Sequence, residues 1–419
     1  MSRFFGIIAR FSRCMNEVCL LKRNKVLDLQ LSDRVQNIKP SPTLAVTNRA
    51  AELRAAGKDI IGLGAGEPDF DTPKHIKDAA IDALNKGFTK YTAVDGTPSL
   101  KKAIIDKFQR DNGLTYQADQ ILVSCGGKQS FFNMVLALLN AGDEVVIPAP
   151  YWVSYPDMVR IAEGVPVIVE TEQANRFKMT AAQLEAAITP KTKLVVLNSP
   201  SNPSGVAYTE VELKELAAVL LKFPDVLVAT DDMYEHILWA EGGFHNIVTV
   251  CPELYDRTVV MNGVSKAYSM TGWRIGYIGG PVKLVKAMKK IQSQSTSNPT
   301  SISQYASEAA LNGSQECVQE MLAAFKVRHD FVVKALNELP GVECIESDGT
   351  FYAFPSFKGA MKATGCETDV EFAEKMLIEA EVALVPGSAF GTPGHMRLSY
   401  ATSMENLENA ISRLAKALA

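Results

Sequence analysis

At 419 residues the chain is longer than one ordinary hydrophobic core organises, so a large domain plus a smaller one is the expectation. Apolar residues at 47% and charged residues at 21% exclude a disordered or fibrous chain, and a net charge of -4 gives no sign of the clustered basic face that nucleic acid requires. The longest apolar runs, such as FFNMVLALL at 131–139, fall far short of the roughly 20 residues of a membrane span, so a soluble protein without a membrane partner is expected.

The first 28 residues stand apart, with six Lys or Arg against Glu17 and Asp28 and short apolar groups between them. Two readings stay open: a flexible or over-called leader, with Met15 as an alternative start, and an Arg-rich transit peptide. The first implies a cytoplasmic protein, the second an organellar one. Residues 29–75 read as the N-terminal part of a small domain, and 76–310 as a large domain. There, helical patterns alternate with β-rich runs: QILVS (120–124), DEVVIP (143–148), VPVIVE (165–170), KLVVLN (193–198), VLVAT (226–230), TVVMN (258–262) and IGYIGG (275–280). Runs this apolar, bounded by Gly, Pro or Asn, suit strands buried on both faces of a mostly parallel, seven-stranded α/β sheet. From 311 to 419 a long charged helix at 314–339 precedes VECIES, GTFYAFP, ALVPGSAF and HMRLSYA, which read as the rest of the smaller α+β domain. Seven scattered cysteines never form CxxC and five histidines form no ligand-spaced pair, which argues for reduced thiols and no catalytic metal.

Ligands of open parallel sheets sit beyond the carboxyl ends of the strands, so the residues there are the candidates. After QILVS, Gly126 and Gly127 open a helix and offer bare backbone amides to an anion. Lys128 is followed by Gln and lacks the upstream glycine of a P-loop, which excludes a nucleotide P-loop. After KLVVLN, Asn202 sits between two prolines and can present its amide. Asp231 and Asp232 close VLVAT, with Tyr234 following; Asp231 is taken as the buried carboxylate and Asp232 as the solvated one. A buried carboxylate needs a cationic partner, such as a protonated ring nitrogen, although an aspartate N-cap is the plainer alternative. Lys266 follows TVVMN, with Arg274 eight positions on. A lysine used for a Schiff base must be partly neutral, through burial or neighbouring cations. Together these residues supply anion donors, a partner for a pyridinium, donors for a phenolate and an amine for an aldehyde. Pyridoxal 5'-phosphate needs all four.

Nine motifs in order extend this reading: RVQNIKPSPTLAV, GAGEPDFDTP, KYTAVDGTPSLK, VSCGGKQS, PAPYWVSYPDM, NSPSNPSG, TDDMYEHI, NGVSKAYSMTGWRIGY and HMRLSYATS. With them the sequence resembles, over residues 29–419, a fold-type I pyridoxal-phosphate enzyme of the class I aminotransferases, in the bacterial-type (I-beta) aspartate aminotransferase branch. The resemblance implies that Lys266 is the Schiff-base lysine and proton shuttle and that Asp231 binds the pyridine nitrogen. Asn202 and Tyr234 then bond the phenolate oxygen, and Trp152 stacks on the ring. Gly126, Gly127, Ser265 and Arg274 match phosphate contacts, and Tyr91 matches a tyrosine that reaches the neighbouring subunit's phosphate, which implies a homodimer with shared sites. Arg397 and the Gly66 backbone match the substrate α-carboxylate contacts. Lys128 matches a ligand for the distal carboxylate, and Thr43 with Lys128 resembles positions associated with prephenate use. Three positions depart from the family pattern: Asp232 where Glu is common, Ser269 where Ala is usual, and Ser204 where Thr is frequent.

The resemblance implies ping-pong transamination between aspartate and 2-oxoglutarate, with prephenate as an additional acceptor. A lyase or decarboxylase of the same fold is the alternative within enzymes. A regulator fused to a DNA-binding domain is the alternative outside them, and the segment before residue 29 is too short for its winged helix.

Overall fold

The computed structural model describes residues 29–38, 40 and 42–419; the leader reading for 1–28 lies outside the described residues. Residues 38–419 form one compact unit, and Asp33–Gln36 make a helical turn ahead of it. In chain order the strands are β1 Ile61–Gly62, β2 Ile121–Ser124, β3 Glu144–Ala149, β4 Val165–Glu170, β5 Thr192–Asn198, β6 Leu227–Asp231, β7 Thr258–Gly263, β8 Gly276–Gly279, β9 Tyr352–Ala353, β10 Val382–Ala383, β11 Val385–Pro386 and β12 Met396–Ser399. The seven apolar runs are the seven strands of one sheet, ordered β2-β8-β7-β6-β5-β3-β4. All its pairings are parallel except those of β8, which runs antiparallel to both β2 and β7.

Alternate residues of each strand enter two separate cores, because successive strand side chains point to opposite faces. Val195 and Leu197 of β5 join one core with Leu100, Ile104 and Phe108 of the helix Pro98–Asn112. Leu194 and Val196 face the other, with Phe131 and Met134 of the helix Gly127–Leu138. Each such fully buried side chain contributes about 1.5–3 kcal/mol, which is why the runs are apolar throughout rather than alternating.

A further core gathers Leu63, the helix Glu316–Asn337 and the C-terminal helix Met404–Leu418 around the antiparallel sheet β11-β12-β9. β1 pairs with β10 in parallel, Ile61 opposite Val382, so residues far apart in sequence share that layer. VECIES makes only an isolated bridge, Glu343 to Ser356. The chain after it is used otherwise: the amides of Asp348 and Gly349 both donate to the Gly205 carbonyl, and that of Thr350 donates to Ile237. Those bonds tie the loop before β9 to the loops that follow β5 and β6.

Candidate active site

The parallel strands β2, β3, β5, β6 and β7 end at one edge of the sheet, where a cavity of ≈ 490 Å³ opens. That volume lies within the range of small-molecule sites. β8 runs the other way, so it begins at this edge, with Gly276 opposite both Ser124 and Gly263. Arg274 thereby arrives beside the turn that follows β2, and its Nη2 donates to the Cys125 carbonyl at 3.3 Å. Gly126 has φ +86, and a Cβ there would meet the Arg274 guanidinium at 2.3 Å. Glycine is required at this point both for the left-handed backbone and for the close approach. Gly127 begins the following helix, so its N-terminal amides and the Arg274 charge converge on one spot suited to an anion.

Lys266, three residues past the end of β7, lines the cavity with Ser265 and donates to the Gly66 carbonyl at 2.5 Å. Burial, reinforced by the Arg397 and Arg274 charges and opposed by Glu67 and Asp231, lowers its ammonium to about 8. Asp231 closes β6 and is 8% exposed. Its Oδ2 accepts from the Tyr155 hydroxyl at 2.5 Å and its Oδ1 from the Met233 amide at 3.3 Å. Burial raises its pKa despite those bonds. Asp232 is not solvated, as the sequence suggested, but only 1% exposed. It turns to the opposite side, accepting from Thr230 Oγ1 at 2.6 Å and from Asn246 Nδ2. Burial and the nearby Glu235 charge push Asp232 to about 8. The physical reason is that Asp231 ends a strand covered on both faces and Asp232 follows it directly, so alternation sends one side chain to the cavity and the next into the helical layer.

Arg397 comes from β12 and is 3% exposed. Its guanidinium lies 4.5 Å from the Tyr352 ring centroid and 5.0 Å from that of Phe390. Nη1 donates to Asn202 Oδ1 at 3.0 Å and Nη2 to the Gly64 carbonyl at 2.8 Å, while Nε is buried with no partner. A buried unpaired donor of this kind is costly unless a ligand accepts from it. Lys128 lies 5.0 Å from the Trp152 ring centroid, and burial together with the Arg274 charge lowers its pKa. The Tyr234 hydroxyl is 3.1 Å from that of Tyr352. Thr43 also lines the cavity, and its buried Oγ1 has no partner.

All the residues to which the resemblance gives a role line this one cavity except Gly126, which abuts Arg274, and Tyr91, which is 92% exposed and outside it. Three further residues act at the site. Tyr155 holds Asp231, Tyr352 bonds Tyr234 and stacks on Arg397, and the Asn198 side chain accepts the Asn202 amide at 2.8 Å. Tyr155 sits in PAPYWVSYPDM three residues after Trp152, and its amide donates to the Trp152 carbonyl at 3.1 Å; neither it nor Tyr352 carried a local signal of a site residue. An anion cradle, a buried carboxylate, a partly neutral amine and an orphaned guanidinium nitrogen fit a molecule bearing a phosphate, a protonatable ring and an aldehyde, together with a carboxylate substrate.

The family described as aminotransferase class I and II matches residues 58–414. The chain is 61% identical over 396 residues to an aspartate/prephenate aminotransferase of Nitrosomonas europaea, covering 93% of this chain and 100% of that one. It is 52% identical to an aspartate aminotransferase of Geobacillus stearothermophilus, covering 92% and 98%. Among solved structures, the aspartate aminotransferase of Rhizobium meliloti superposes with a TM-score of 0.90 at 50% identity, covering 93% of this chain and 99% of that one. The Thermus thermophilus aspartate aminotransferase with maleate superposes with a TM-score of 0.87 at 43% identity, covering 93% and 100%.

Proposed function

The chain belongs to the class I and II aminotransferase family, and from that premise we propose that it transfers the amino group of L-aspartate to 2-oxoglutarate, with pyridoxal 5'-phosphate as cofactor. One observation carries the choice of a dicarboxylic substrate. Apart from Lys266 and Arg274, the cavity holds two more cations, Arg397 with its unpartnered Nε and Lys128 over Trp152. A substrate with two carboxylates uses both, and a bidentate guanidinium suits the fixed α-carboxylate better than an ammonium. The Thermus relative solved with maleate holds a dicarboxylate.

When bound, the cofactor supplies an electron sink for the carbanion left at the substrate Cα. The chain's own residues do the rest. Lys266 Nζ takes the Cα proton as general base and later returns it as general acid, a contribution of about 10²–10⁴-fold. The Gly126–Gly127 amides, Ser265 and Arg274 hold the phosphate. Asp231, kept in place by Tyr155, partners a protonated ring nitrogen. Tyr234 and Asn202 donate to the ring oxygen, and Trp152 covers a ring face. Arg397 and the Gly66 backbone orient the α-carboxylate. Tyr91, exposed on its own protomer, reaches the phosphate site of a second copy in a homodimer. Cytoplasmic placement belongs to the same proposal; the five described cysteines are free thiols, and no helix among the described residues is long and apolar enough to cross a membrane.

The test is a half-reaction screen on cofactor-loaded protein with aspartate, glutamate, arogenate, tyrosine and alanine, followed by single-turnover absorbance. Rapid conversion with aspartate and glutamate, lost selectively in Lys128→Ala, is the expected result. No conversion with any of them returns the lyase reading. A second reading, prephenate as an additional acceptor, rests on the buried unpartnered Thr43 Oγ1 in the cavity and on relatives named aspartate/prephenate aminotransferases. Arogenate conversion at a rate comparable to aspartate identifies it.

Cofactor uptake has a defined pH dependence. Attack on an aldehyde needs the neutral amine, and burial with two arginine charges lowers Lys266 to about 8. The neutral fraction therefore rises with pH through about 8 rather than through the ordinary lysine range. Stopped-flow uptake by apoprotein is expected to accelerate through that midpoint and level off above it. A midpoint near that of free lysine contradicts the assignment.

A further inference from the structure

Lys107, in the middle of the helix Pro98–Asn112, is 0% exposed, and Glu235 is 6% exposed. They form an ion pair outside the cavity. Glu235 Oε1 also accepts from Asn262 Nδ2 at 2.7 Å, and Oε2 accepts from Asn112 Nδ2 at 2.6 Å; Lys107 Nζ donates in addition to Asn112 Oδ1 at 2.7 Å. Asn262 belongs to β7, and its Oδ1 accepts the Gly263 amide at 2.7 Å. One carboxylate thus joins three elements: a covering helix, the exit of β6 and the end of β7. The β6 exit carries Asp231 and Tyr234, and the β7 exit carries Ser265 and Lys266.

A buried ion pair adds little net stability, since desolvation offsets its attraction and an apolar pair of equal volume is often as stable. What this pair does supply is a unique arrangement of two strand exits. We propose that Glu235, through Lys107, Asn112 and Asn262, is a positioning residue that holds Tyr234 and Lys266 at their working separation without touching the cavity. This rests on the roles given above to Tyr234 and Lys266.

The test uses the dimeric holoenzyme and two variants. Lys107→Met/Glu235→Met removes the pair at matched volume and leaves no unpaired charge, and Asn262→Ala cuts the β7 link while the pair stays. Three quantities are measured: melting temperature, pyridoxal phosphate dissociation constant from the quenching of tryptophan fluorescence, and single-turnover rate with aspartate per bound cofactor. Near-wild-type melting with a rate lowered about 10–100-fold and weaker cofactor binding is expected of a displacement on the order of 1 Å. Wild-type rate and affinity in both variants overturn the proposal and leave a purely structural pair. If the double variant does not fold, Asn262→Ala decides alone by the same readings. Wild-type protein that binds pyridoxal phosphate but does not convert aspartate fails the functional reading instead, and the dissociation constants then decide the positioning role by themselves.

Discussion

Lys266→Ala is expected to abolish turnover, lowering kcat by more than about 10⁴-fold, the upper end of what a positioned proton-transfer group supplies. The substitution removes the cavity amine whose ammonium is lowered to about 8, while the Gly126–Gly127 turn, Arg274 and Asp231 stay in place. Pyridoxal phosphate is therefore expected still to bind, and borohydride is expected no longer to fix it to the protein. Melting should be unchanged or slightly higher, because a desolvated ammonium is a cost the fold carries. Steady-state assay, borohydride labelling and a thermal melt check the three parts, and normal multiple turnover in this variant would falsify the assignment.

Arg397→Ala is expected to have the next largest effect. It removes the guanidinium that lies against Tyr352 and Phe390 and donates to Asn202 Oδ1 and the Gly64 carbonyl. Truncating one partner of a buried charge pair costs about 2–5 kcal/mol. At about 1.4 kcal/mol per decade, kcat/KM for aspartate should fall by roughly 30- to 4,000-fold. Arg397→Lys keeps the charge but not the planar fork, so it should recover only part of the loss. The measurement is kcat/KM for aspartate across the three proteins, and an unchanged value in Arg397→Ala removes Arg397 from carboxylate binding.

Much of the site was legible because its residues follow strands whose apolar runs are local signals. Asn202, Asp231 and Lys266 each come shortly after such a run, and a ligand site beyond parallel strand ends follows from topology alone. Other contacts were not legible, since they depend on which segments meet. Asp231 and Asp232 are adjacent, and only their opposed side-chain directions separate a cavity carboxylate from one bonded to Thr230 and Asn246. Tyr352 lies in GTFYAFP, a run legible as part of the smaller domain, but nothing local marks it as the residue that flanks Arg397 and bonds Tyr234.

The sequence by itself determined the elements: seven β-rich runs, the glycine pair at a helix start and the long charged helix, because strand and helix periodicities act over a few residues. Tertiary structure alone decided how those elements share one cavity. The reversed direction of β8 brings Arg274 against Gly126, and β12 carries Arg397 to Asn202 after β5. Long-range pairing decides such contacts, since the free energy comes from burying both faces of the sheet and both cores together rather than from any local pattern.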